Sequence, residues 1–164
     1  MHRSRSNRLK AGSALAALLA LAVAGTAFAA TGPAKLYTKA QAVKGQQVFA
    51  HNCVACHGGN EQGKSGPAIA GKAFLKRAKL LGWSVEDMRH VVVSTMPRNN
   101  PGSLSDQQYA NVLAYLLASD CYPAGQTPFP TKETPKLKNT KLQMPANAKP
   151  DNPKTDTCNL HPKG

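Results

Sequence analysis

The clearest hydrophobic pattern in the chain lies between Ser105 and Asp120. Tyr109, Val112, Leu113, Leu116 and Leu117 recur at the spacing of one face of a helix, with Tyr115 on its flank. Ser105 followed by Gln108 forms a capping box and fixes the start. A second helix is predicted from Ser84, which pairs with Asp87 as a similar cap. Val85, Met88 and Val92 mark its inner face, with Val91 beside them, and it ends near Ser94 and Thr95. A third runs from about Thr38 to Asn52, with Val43, Gln47 and Ala50 on one side and Val48 and Phe49 supplying bulk. Gly45 inside it costs about 1 kcal/mol against alanine, which suggests that another helix passes close by. A short fourth helix is predicted over Lys72–Leu81, with Phe74, Leu75 and Ala78 inward and Gly82-Trp83 closing it. No stretch alternates with period two, so the fold class is all-α.

The intervening stretches are polar and turn-rich. Residues 57–71 contain Gly58-Gly59, Gly63 and Ser65-Gly66-Pro67, and Arg98-Asn99-Asn100-Pro101-Gly102 is a second loop. From Cys121 to Gly164 periodicity ends. Eight of these 44 residues are proline and seven are lysine, which reads as an extended, irregular tail. At the other end, Arg3, Arg5, Arg8 and Lys10 precede the uncharged Ala/Leu-rich run Ala11–Ala24 and the small-x-small site Ala27-Phe28-Ala29. That is the layout of an export signal over residues 1–29, cleaved after Ala29, and it predicts a periplasmic protein. An uncleaved anchor is the alternative, since the uncharged run is nearly long enough to span a bilayer. Three regions follow: a signal peptide (1–29), a folded domain (30–120) and a tail (121–164).

The formal charge is +13; the leader holds four Lys/Arg and no Asp/Glu, leaving 17 basic against 8 acidic residues, or +9. Such a surface suits an acidic partner or an anionic membrane, or serves solubility alone. Nucleic acid fits poorly, because aromatics are few and no recognised binding motif is present.

The chemistry concentrates in Cys53-Val54-Ala55-Cys56-His57. Two cysteines separated by two residues, with histidine next, form the attachment signal for a single haem c. Each thiol adds to one vinyl group, and His57 becomes the proximal iron ligand. A redox-active dithiol would want a βαβ context, and a zinc site a second nearby cysteine pair; neither is present. Export permits disulfides, so the two remaining cysteines, Cys121 and Cys158, can pair and pin the tail. A metal-bound histidine donates its other ring N–H, and the Gly66-Pro67 corner is a candidate acceptor. Met96, outside a helix and just before Pro97, is a candidate soft second ligand. Met88 reads as core and Met144 has little context, while His51 and His90 are alternative nitrogen ligands. Trp83 is either core packing or a haem-edge residue whose indole N–H meets a propionate.

Taken together, Cys53–His57, Gly66-Pro67-Ala68-Ile69-Ala70-Gly71, Thr95-Met96-Pro97 and Tyr109–Leu117 resemble the class I mono-haem cytochromes c over roughly residues 39–119. The resemblance implies that fold, with His57 proximal, Met96 distal and the Pro67 carbonyl on the His57 ring. It also implies that Gly45 and Phe49 cross the last helix near Tyr115. Pro101-Gly102-Ser103-Leu104-Ser105 and Tyr122-Pro123-Ala124-Gly125 look like the small periplasmic cytochromes that accompany quinoprotein and alcohol-type dehydrogenases. The long tail with its second cysteine pair departs from that pattern.

The function this implies is one-electron transfer between a dehydrogenase and an acceptor such as an oxidase or another cytochrome, not catalysis by the chain alone. Lys72, Lys76, Arg77, Lys79 and Arg98 are candidates for a basic docking face. The competing reading is an open-site haem, catalytic or ligand-binding, in an oxidoreductase complex; it requires that Met96 not bind.

Overall fold

The computed structural model describes residues 33–155, 157 and 158. The expected leader and its cleavage site lie outside the described residues. The described chain is helical, with α1 (Lys39–Asn52), α2 (Val54–His57), α3 (Gly71–Leu80), α4 (Val85–Thr95), α5 (Asp106–Ser119) and α6 (Pro135–Asn139). Among the described residues there is no strand, only two isolated bridges, Ser84 with Lys141 and Asn152 with Thr157. None of the described helices is long and apolar enough to cross a membrane.

The caps act where the sequence puts them. Thr38 Oγ1 accepts the Gln41 N–H at the start of α1. Ser84 with Asp87, and Ser105 with Gln108, form complete capping boxes on α4 and α5. The inner face of α1 is the Gly45–Phe49 face that the glycine suggested, and it also takes in Gln41 and Ala42. Gln41, Ala42, Gly45 and Phe49 are buried, while Val43 is 44% exposed. A face this small and polar exists because α5 and the tail lie against it. A Cβ on Gly45 would sit 1.9 Å from Asn111 O and 2.9 Å from Tyr115 Cβ, so only glycine lets α1 and α5 cross this closely. One turn on, Phe49 meets Tyr115 with ring centroids 5.2 Å apart.

Helix α5 is buried along its whole length from Tyr109 to Ser119, not on one stripe. The residues after Asp120 cover its other side. Phe129, Leu137 and Leu142 are at most 1% exposed and join Leu113, Leu117 and Ala118 in the larger core cluster. The stretch read as an irregular tail therefore contributes core and a helix. Gln41 fixes it: Nε2 donates to Phe129 O at 3.1 Å, and Phe129 N–H donates to Oε1 at 2.6 Å. Thr134 caps α6, and Pro135 occupies its first turn. Val85 N–H then donates to Thr140 O and Leu142 N–H to Trp83 O, which binds this stretch to the start of α4. Farther on, Lys72 N–H reaches Thr155 O, and Cys158 N–H reaches Ser119 O. Cys121 and Cys158 meet with their Cα atoms 5.1 Å apart, within the span of a disulfide.

Candidate functional site

The Cys53–His57 run forms its own turn of helix, which the sequence pattern did not separate from α1. Cys53 closes α1 by donating its N–H to Phe49 O, and α2 begins at the next residue. Cys53 and Cys56 lie at the edge of one cavity and are not disulfide partners. Burial, and secondarily Cys56, pushes the Cys53 thiol up to about 11.

His57 is buried, and its Nδ1 lies 2.8 Å from Pro67 O. With Nδ1–H donating to that carbonyl, Nε2 carries the free lone pair. The loop that brings Pro67 back is tied by Gly63 N–H to His57 O and Gly66 N–H to Cys56 O, both 2.8 Å. A Cβ on Gly66 would lie 3.0 Å from His57 Cε1, so the backbone passes against the imidazole edge.

The cavity is about 1100 Å³. Ile69, Phe74, Met88, Val91, Val92, Val112 and Leu116 give it apolar walls, and Trp83 and Arg77 also border it. Arg77 is not a free docking cation. It is half-buried, donates to Ala68 O at 2.8 Å and lies over the Phe74 ring. Met96 borders the same cavity as His57. Its N–H donates to Val92 O at the end of α4, and its C=O accepts the Tyr109 hydroxyl at 2.6 Å. Of the alternative nitrogen ligands, exposed His51 borders the cavity and His90 is not among its lining. Met88 is both core and cavity wall, while Met144 packs on the core from the tail.

Two residues escaped the sequence reading. Tyr109 looked like an ordinary core position, and only its hydroxyl partners reveal more. Glu61 looked like a polar loop residue, yet it is 3% exposed and accepts the Tyr115 hydroxyl. Burial raises the Glu61 carboxyl, with the tyrosine bond opposing, and this pair anchors the His57 loop to α5. No local pattern signals either contact.

Two thiols on one helical turn, an imidazole with Nε2 free, a thioether and apolar walls fit a planar iron tetrapyrrole held covalently. The fold and site thus define a small helical haem protein. The family described as "Cytochrome C oxidase, cbb3-type, subunit III" matches residues 40–116. The chain is also 38% identical over 105 residues to cytochrome c6 of Picosynechococcus sp., spanning 60% of this chain and 87% of that protein. The chain belongs to the class I mono-haem c-type cytochromes, small electron carriers with a single covalently bound haem c.

Proposed function

We propose that this chain is an exported periplasmic one-electron carrier, taking electrons from a dehydrogenase and passing them to an oxidase or another cytochrome. Cys53 and Cys56 would hold the haem through thioethers, and His57 and Met96 would be its iron ligands. One observation carries this reading. Met96 borders the same apolar-walled cavity as His57 and the two cysteines, which puts a soft ligand and an imidazole on one site. Haem c, when bound, supplies a ferric/ferrous couple. The chain's own residues set its terms. Pro67 fixes the His57 tautomer, Met96 favours the reduced state, and the apolar walls keep water away. With His57 and Met96 both bound to it, the iron would offer no open place to a substrate, so the chain would carry electrons and not act as an enzyme by itself. Trp83 packs on the core and borders the cavity, where its indole N–H would serve a propionate of the bound haem. Exposed Lys76, Lys79 and Arg98 lie on the basic surface that steers an acidic partner. Residues 1–29 are removed on export, 30–120 form the haem domain, and a Cys121–Cys158 bridge made outside the cytoplasm pins residues 121–164.

The test is spectroscopic. The ferric holoprotein should be low-spin, with the weak far-red band of thioether-ligated haem. Met96→Ala should abolish that band and lower the potential by a sizeable part of the roughly 0.8 V that axial ligands span. A high-spin wild-type spectrum would sink the closed-site reading. Capture of soluble partners by the oxidised and reduced holoprotein then identifies donor and acceptor; recovery of neither a dehydrogenase nor an oxidase or cytochrome would count against the assigned place.

A further inference from the structure

We propose that Tyr109 is a positioning residue for the Met96 ligand, a clasp that holds the ligand loop shut from α5. This rests on the reading that Met96 binds the iron. The Tyr109 ring is buried, and its hydroxyl makes two bonds to the loop, one at each end. It donates to Met96 O at 2.6 Å and accepts the Gly102 N–H at 3.1 Å. Residues 98–103 between and beside these points are exposed. The other backbone bonds recorded there, Asn100 N–H to Pro97 O and Ser103 N–H to Asn100 O, are turns within the segment. They shape the loop without attaching it to the body. Met96 N–H ties the start of the loop to Val92 O of α4, and the phenol ties both of its ends to α5; the Ser105–Gln108 capping box fixes the start of α5 one turn before Tyr109.

The consequence follows from a two-state loop. A thioether on an exposed segment competes with the open loop, in which the sixth position can take another ligand. The apparent affinity of such a ligand scales with the open fraction. Removing the hydroxyl deletes two bonds that exist only in the closed state, so the open fraction should rise about tenfold.

The experiment titrates ferric holoprotein with imidazole and follows the far-red thioether band. Tyr109→Phe should keep the band without imidazole but lose it at about tenfold lower imidazole than wild type. Tyr122→Phe is the matched control. Its hydroxyl also donates to a carbonyl, Lys141 O, and accepts an N–H, from Gln143, but it holds the tail. It should lose comparable thermal stability and leave imidazole affinity unchanged. If wild type lacks the band, Met96 is not the ligand and the clasp falls with that reading. If wild type has the band and Tyr109→Phe titrates like wild type, the clasp alone is overturned. An equal gain in Tyr122→Phe also overturns it, because the effect would then be general loosening. Should Tyr109→Phe not accumulate, wild-type amide exchange decides. Gly102 N–H protected from solvent supports the clasp, and exchange at the unprotected rate overturns it.

Discussion

Asp120 is the residue whose setting is least like its sequence neighbourhood. It follows α5 as an ordinary helix-ending aspartate, yet it is 0% exposed. Oδ1 accepts the Gly71 N–H at 2.7 Å, and Oδ2 has no partner among the described residues. Desolvation raises the Asp120 carboxyl well above its usual 3.8, and the nearby Glu61 charge adds to this. An acid whose folded-state pKa is raised holds its proton more tightly when folded. Stability is therefore greatest below the unfolded value and falls as pH rises from there toward the folded value. Asp120→Asn keeps the acceptor for Gly71 and removes the charge. The variant should match wild type near pH 3.8 and gain on it progressively toward neutrality, as read from thermal unfolding of both proteins across pH. Other titrating groups cancel in the difference, so a constant offset at all pH values would refute this account.

At the scale of the helices, the crossing of α1 and α5 decides the frame, and Gly45 decides the crossing. Alanine there gains about 1 kcal/mol of helix propensity. The added Cβ would meet a backbone carbonyl, Asn111 O, at 1.9 Å, far inside contact and with no rotamer to relieve it. Overpacking of this kind costs about 1–3 kcal/mol and more when backbone must move, so the clash wins. Gly45→Ala should lower the denaturant midpoint, and a rise would show that the helices slide apart at little cost. The same crossing shows what the sequence could and could not reveal. Helices α4 and α5 were legible because each pairs a capping box with a periodic apolar face. On α1 the crossing face was legible at Gly45 and Phe49, but the burial of Gln41 was not, because no apolar period marks it. Helix α6 escaped notice at five residues, too short to show a period. The Cys53–His57 motif and the Pro67 carbonyl were legible because they are local, with His57 and Pro67 ten residues apart. The Tyr109 hydroxyl was hidden because the apolar pattern already explained its ring.

For the molecule as a whole, the question is how the described residues after Asp120 are held. Phe129, Leu137 and Leu142 are isolated in sequence, so nothing in the pattern announced them as core, yet each is essentially fully buried. Beyond Met144 the attachment changes character. Two backbone bonds, Lys72 N–H to Thr155 O and Cys158 N–H to Ser119 O, and the Cys121–Cys158 pair hold the end, with Thr157 buried beneath. The pair spans 37 residues, and in the chain-entropy account closing such a loop stabilises by about 4 kcal/mol. That figure assumes the whole loop is released at once. The packing says otherwise, because the stretch from Phe129 to Leu142 belongs to the core while the stretch after Met144 is held mainly by its end. Replacing both cysteines by serine should therefore cost clearly less than 4 kcal/mol in global unfolding and leave the haem spectrum unchanged. Amide exchange locates the change. The Lys72 amide and those after residue 150 should lose protection, while Phe129, Leu137 and Leu142 keep theirs. Loss of protection from Phe129 onward as one unit would mean that the bridge, and not the buried side chains, holds the tail to the haem domain.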